Sequence, residues 1–364
     1  MQAVTDPLEV PARTPARRCS GFLPGMLLTG VIAILANEVA KTPWMQAHGI
    51  SALTLAILAG MIAGNTFYPR IAGVSARGVA FSKQTLLRAG IILYGLRLTF
   101  QDIGRVGLVG VAVDAIVLSS TFALSWWAGT RLFGLNRRTA MLIGAGSSIC
   151  GAAAVMATEP VVRGRAEEVC IAVATVVAFG TLAIFVYPAL YHLNERFHWV
   201  SITPFAYGIF TGSTVHEVAQ VLAAGKAVAE TAANTAVITK LVRVMMLAPF
   251  LVLLSAYLSR NAEEGATPAV ERHAWRGVIP WFALGFIAVA GFNSLALLPL
   301  AVIRTAIDAD TLILATAMAA LGVSTRIAAI VRAGVKPLAL AALLFGWLIV
   351  GGFAINAGIS ALFT

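Results

Sequence analysis

The chain has 364 residues, of which 59% are hydrophobic and 12% charged, with a formal net charge of +10. A soluble domain carries about 25% charged residues. The basic residues are scattered between apolar runs instead of gathered in one patch, which excludes a nucleic-acid-binding class and points to a polytopic helical membrane protein. Those runs recur from residue 21 onward. Each is long enough to cross a bilayer as a helix, and they are too continuous for barrel strands, which alternate.

Residues 1–20 hold three Arg and three Pro without a long apolar run, and read as a disordered cytoplasmic tail. The apolar segment beginning at Phe22 has no small-residue cleavage site after it, so residues 21–50 read as an extra N-terminal span and loop. Ten further spans are expected near 51–67, 83–100, 106–130, 138–158, 168–190, 204–224, 232–258, 278–298, 311–331 and 338–360, after the first at 21–37. With the N-terminus inside, the cytoplasmic connections and the tail's three Arg together hold fifteen Lys and Arg against six on the opposite side, the asymmetry of a plasma-membrane protein with its N-terminus in the cytoplasm. Arg70, Arg77 and Lys83 are among the fifteen. The connection 259–277 reads as a solvated cytoplasmic loop.

Residues 51–200 and 201–364 read as two five-span repeats. Gly60-x-x-x-Gly64-Asn65-Thr66 matches Gly208-x-x-x-Gly212-Ser213-Thr214, an Arg-bearing pattern around Arg88 matches one around Arg243, and Phe179-Gly180 matches Phe345-Gly346. An odd number of spans per unit requires the second copy to be inserted upside down, and inverted repeats carry transport sites at their interface.

Two spans have a Gly-then-hydroxyl interruption, at Gly146-Ser147-Ser148 and at Gly322-Val323-Ser324-Thr325. Irregular backbone at membrane depth is tolerated only where protein or a watery cavity satisfies it. If half-helices begin near Ser147 and Ser324, their N-terminal N–H groups and dipoles attract an anion. Ser147, Ser148, Ser324 and Thr325 would cap or donate, Gly146, Cys150 and Gly322 would line the approach, and Arg326 would add a forked donor. A helix-packing seam, and an Arg326 that snorkels to the surface, are the alternatives.

His216 and Glu217 fall near mid-depth of span seven, where an ionisable pair suits coupling or gating, or else a polar network between helices. Lys240 and Arg243 share a face of span eight. Two buried cations require a counter-charge, for which Glu217 is the candidate, and Arg243 is also assigned to the anion. Asp114 in span four has no partner visible in the sequence, and pairing with an Arg or a function both remain open. Asn293 either lines the cavity or caps a bend. Cys19, Cys150 and Cys170 lack metal-ligand spacing, and Gly144-x-Gly146 follows no strand. No cofactor, metal or catalytic dyad is expected, and the chain does not read as an enzyme.

The run Lys83-Gln84-x-Leu86-Leu87-Arg88-x-Gly90-Ile91, the Ser148-Ile149-Cys150-Gly151 signature, Thr211-Gly212-Ser213-x-Val215-His216-Glu217-Val218-Ala219-Gln220 and Lys240-Leu241-x-Arg243-x-x-Met246-Leu247-Ala248-Pro249 resemble the YeiH-type sulfate exporter family from about residue 20 to the end. The resemblance implies a bacterial inner-membrane protein moving sulfate, sulfite or a related sulfur anion outward. It also implies an all-α fold similar to sodium/proton antiporters and bile-acid transporters, in which two broken helices cross at the midplane.

The expected protein is therefore a secondary anion transporter of about eleven transmembrane helices in two inverted repeats plus one extra helix. Its partners would be a small anion, protons or sodium as coupling ion, lipid and a second copy in a homodimer. A passive anion channel, a membrane-embedded enzyme using Cys150 or His216-Glu217, and a cation-coupled transporter of an organic acid or sulfonate are the rivals.

Overall fold

The computed structural model describes residues 21–47, 51–260 and 281–363, so the tail 1–20 with Cys19 and most of the expected loop 259–277 lie outside the described residues. Every described element is helical. In chain order these are α1 (Leu23–Ala40), α2 (Pro43–Ala47), α3 (Ala52–Asn65), α4 (Tyr68–Phe81), α5 (Leu87–Tyr94), α6 (Phe100–Trp127), α7 (Arg137–Ser148), α8 (Ala152–Val162), α9 (Ala166–Phe197), α10 (Pro204–Thr214), α11 (Val218–Lys226), α12 (Glu230–Met245), α13 (Leu247–Arg260), α14 (Trp281–Ser294), α15 (Leu300–Ser324), α16 (Ile327–Arg332) and α17 (Val335–Phe363). Helix occupies all eleven expected locations. Six helical runs are long and apolar enough to cross a membrane, and α3, α8 and α14 are shorter apolar helices.

Local chemistry sets several boundaries. Ser51 heads α3 and accepts from the Thr54 N–H at 3.2 Å. Thr99 and Asp102 cap α6 reciprocally, Asn136 heads α7, and Thr203 followed by Pro204 opens α10. Side-chain acceptors of this kind satisfy N–H groups that a helix start leaves open. Span three begins much earlier than its apolar stretch: α4, a π-helical turn at Ser82–Leu86 and α5 form one continuous run. Arg70, Arg77 and Lys83 therefore stand on helix, not in a connection. The apolar window hid α4 because it carries its hydrophobic residues on one face with Arg on the other, the pattern of a surface helix.

The helices gather into two bundles. α1, α3, α4, α5, α14 and α15 pack closely on one another, and α6 to α13 with α17 form the second group. Small residues permit the closest approaches. A Cβ on Gly60 or Gly64 would strike the backbone of α15, and one on Gly208 or Gly212 would strike α12, the small-xxx-small packing that membrane helices use. The two bundles meet through one apolar core in which Ile57, Ile91, Leu314 and Met318 join Cys150, Val218 and Leu222. Tyr94 Oη also donates across it to Asn234 Oδ1 at 2.7 Å, and Arg97 stands 3.7 Å from Glu230. Phe179 and Phe345, matched in the sequence repeat, lie against each other with ring centroids 5.5 Å apart.

Candidate functional site at two paired helix breaks

Span five is broken, but three residues beyond Gly146. α7 continues through Gly146, Ser147 and Ser148, and the chain unwinds at Ile149, Cys150 and Gly151 before α8 starts at Ala152. Gly151 has φ +76°, a backbone region that only glycine enters cheaply. Ser147 and Ser148 thus close one half-helix instead of opening the next. A Gly-Ser-Ser run can stay helical in a packed interior, because Ser148 Oγ bonds back to a carbonyl of its own helix at 3.5 Å.

The second expected break is present in span ten, at Thr325–Arg326, but it is not the one that meets the break in span five. α15 is continuous through Gly322 to Ser324. Gly322 serves packing, since a Cβ there would meet Met61 N at 2.8 Å on α3. Ser324 and Thr325 hydroxyls donate to Ala320 O and Leu321 O. The turn at Thr325–Arg326 is bridged by the amide of Asn65, which donates to Thr325 O at 2.9 Å and accepts from Ile327 N at 3.0 Å. Arg326 is exposed. Gly322, Ser324, Thr325 and Arg326 therefore form a helix corner in the first bundle, not a half-helix head facing Ser147.

The partner break lies in span seven. α10 ends at Thr214, Val215 and Glu217 are extended on either side of His216, and α11 starts at Val218. The two breaks have one pattern: Gly146-Ser147-Ser148-Ile149-Cys150-Gly151 aligns with Gly212-Ser213-Thr214-Val215-His216-Glu217, and each half-helix ends at the third position. The match is present in the sequence, but it joins span seven to span five and not to the equivalent span of the other half.

Two cations on α12 join the breaks. Lys240 Nζ donates to the carbonyls of Ile149 and of Val215, which are equivalent positions of the shared pattern. Arg243 donates from Nε to Ser148 O at 2.6 Å, from Nη2 to Ser147 O at 3.1 Å and from Nη1 to Ser213 O. Both cations are 0% exposed. Helix C-termini leave unpaired carbonyls and about half a negative charge, so two such ends absorb a Lys and an Arg that would otherwise be prohibitive at this depth. The expected ion pair with Glu217 is absent: among the described residues, neither cation has a carboxylate in salt-bridge contact. From Lys240 to Arg243 the contacts step back along α7, from Ile149 to Ser147, whereas Gly208 packs on Ala232 and Thr235 and Gly212 on Ala236 and Thr239, so that α10 runs parallel to α12. The two half-helices therefore approach Lys240 from opposite directions.

Glu217 stands at the heads of the other two half-helices. It precedes α11, where its N–H is held by Gln220 Oε1 at 3.0 Å, and its Oε1 accepts from Ala152 N at the head of α8 at 3.4 Å. A Cβ on Gly151 would collide with this carboxylate. The amide ends assigned to a substrate anion thus already hold an anionic side chain. Around them lie buried His216 and Cys150, Ser213 Oγ accepting from Asn356 Nδ2 at 3.1 Å, and Gln220. Asn293 stands apart and donates to Leu98 O at 3.0 Å at the corner before α6. The sequence pattern points to Gln220 but not to Asn356, nor to Asp310, which is buried against Arg97 at 3.3 Å. Single polar residues in apolar helices give no period to detect.

A family model described as "Conserved hypothetical protein 698" matches residues 24–341. The chain is similar to a UPF0324 membrane protein of Pseudomonas aeruginosa, 60% identical over 338 residues that cover 93% of this chain and 94% of the relative. A UPF0324 membrane protein of Yersinia pestis is 58% identical over 335 residues, covering 92% of each. The UPF0324 inner membrane protein YeiH of Escherichia coli K12 is 54% identical over 337 residues, 92% of this chain and 93% of that one.

Proposed function

This chain belongs to the UPF0324 family of membrane proteins, and we propose that it is a secondary transporter of a small sulfur oxyanion such as sulfate or sulfite, working at the paired breaks, in an inner membrane with its N-terminus in the cytoplasm. The observation that carries the reading is the single ammonium of Lys240 bonded to both breaks at equivalent carbonyls. Interrupted helices at membrane depth are kept where a polar solute must be handled, because irregular backbone there is otherwise costly. The site faces the apolar seam between two bundles, so that rocking one against the other would expose it to either side in turn.

The substrate would take the place that Glu217 now fills. An oxyanion arriving at the heads of α8 and α11 competes with the Glu217 carboxylate for the same amide ends. Binding then requires Glu217 to leave, and this couples occupancy to a change in the breaks. In this reading His216 would donate to the anion, and Lys240 and Arg243 would supply positive potential from behind. The sulfur-oxyanion class rests on the sequence resemblance, and the coupled mechanism on the geometry of Glu217.

The test is flux in proteoliposomes loaded with radiolabelled sulfate or sulfite. Saturable efflux that trans-anion accelerates, and that Glu217→Gln alters while the protein stays folded, supports the proposal. Efflux equal to that from protein-free liposomes for both anions sinks it. Flux that follows the anion gradient alone and never accumulates substrate would make the protein a channel.

A further inference from the structure

Asp114 is the one carboxylate of α6 beyond its first turn, and the structure buries it completely. Neither of its oxygens has a hydrogen-bond partner. An ionised carboxylate left so would cost several kcal/mol. The charges that act on it are those of Arg243 and Lys240, whose N–H groups are turned away to the carbonyls of Ser147, Ser148, Ile149, Ser213 and Val215. The same two cations therefore stand between two sets of acceptors: five carbonyls that hold them, and one carboxyl that does not.

We propose that Asp114 is a proton-binding switch for the paired breaks. With the proton on, Asp114 is neutral and the cations stay on the carbonyls, which clamps both breaks. With the proton off, its charge draws Arg243 and Lys240 toward α6, and the carbonyl ends of α7 and α10 lose their donors and are free to rearrange. The proton leaves to water admitted as the bundles part. The ligand in this proposal is a proton: a metal cation takes several donors, and no group of three His, Cys, Asp or Glu side chains that could hold one occurs among the described residues.

Glu217, in the second break, is the other carboxylate that acts on Lys240, and the helices packed on α6 add none. α12 presents Lys240 and Arg243, Tyr187 of α9 and Cys150 stand around Arg243, and His216 lies by Lys240. α10 and α14 carry no Asp, Glu, Lys, Arg or His, and α7 and α17 carry theirs only in the first turn, as Arg137, Arg138 and Lys336. The inference deepens the transport reading by naming its coupling ion, but its readout needs no flux.

Cys150 lies in the first break and is buried, whereas Cys170 is exposed. In a Cys19→Ser background, maleimide labelling of both is followed by peptide mass spectrometry from acid to alkaline pH in lipid nanodiscs, with Cys170 as the internal reference for thiol ionisation. In the otherwise wild-type protein, Cys150 labelling should rise with pH beyond that of Cys170. Asp114→Asn should hold it about tenfold lower at the alkaline end, the effect of a carboxyl whose affinity for its proton differs by one pK unit between the clamped and open breaks. Asp114→Glu should restore the rise. A Cys150-to-Cys170 ratio that stays flat with Asp114 in place overturns the proposal without recourse to a variant, and so does an Asp114→Asn profile equal to that of Asp114. A pH-dependent ratio in protein that moves no anion would sink the transport reading and leave the switch standing. Flux with a flat ratio would do the reverse.

Discussion

Three interruptions in this molecule begin three residues after a glycine, and they are held in two different ways. At Thr325–Arg326 the neutral amide of Asn65 spans the gap, accepting once and donating once. At Ile149–Gly151 and Val215–Glu217, Lys240, Arg243 and Glu217 do so with full charges in the protein interior. A corner that only needs to turn the chain is satisfied most cheaply by an amide, which leaves no net charge to solvate. Charges at a break are worth their desolvation cost only if something else depends on them, and this is why the paired breaks and not the corner are assigned to the solute.

The contrast can be broken by mutation. Arg243→Met should be the most damaging, lowering unfolding free energy by about 4 kcal/mol, since it strips donors from three buried carbonyls at once. Arg243→Lys should recover part of this, having charge without the fork. Denaturant unfolding in detergent measures both, and an Arg243→Met protein as stable as its parent would mean that the carbonyls find other donors. Gly151→Ala should cost about 2 kcal/mol through its positive φ, and the added Cβ also meets Glu217. Trimming Glu217 to Ala in the same chain should return some of that loss, and strictly additive effects would show that the two do not touch.

Asn65→Ala should cost about 1 kcal/mol, the worth of a neutral hydrogen-bonding side chain, and leave sulfate or sulfite flux unchanged. Arg326→Ala should stay within about 0.5 kcal/mol, as for an exposed residue without a special role, and also leave flux intact. Loss of flux in Arg326→Ala at full stability would return the site to the corner in α15 and reverse the comparison.

The sequence located the helices well, because burying a run of apolar residues in lipid is decided by composition over each 20-residue window. It failed at α4, where the window average conceals an amphipathic helix. Lys240, Arg243, His216 and Glu217 were legible as site residues for the same reason that they are costly: each is ionisable inside an apolar run. Their partners were not legible. Glu217 looked like the counter-charge of Lys240 and Arg243, yet it faces the α8 amides while the cations face carbonyls, and the main-chain groups that receive both have no signature in residue type.

What the sequence by itself determined is the class: a helical membrane protein with buried charges and Gly-hydroxyl runs in its spans. What only the tertiary structure decided is which of those runs break and in which direction. Gly322 stays helical because the α3 backbone packs against it, and Gly146 stays helical with Val155 and Val176 side chains 2.7 Å from where its Cβ would be. Ile149 and Val215 leave the helix where a lysine from another span can take their carbonyls. A break at membrane depth is stable only where a donor arrives from elsewhere in the chain, and the arrival of Lys240 at both is a property of how α12 packs, not of any local stretch of residues.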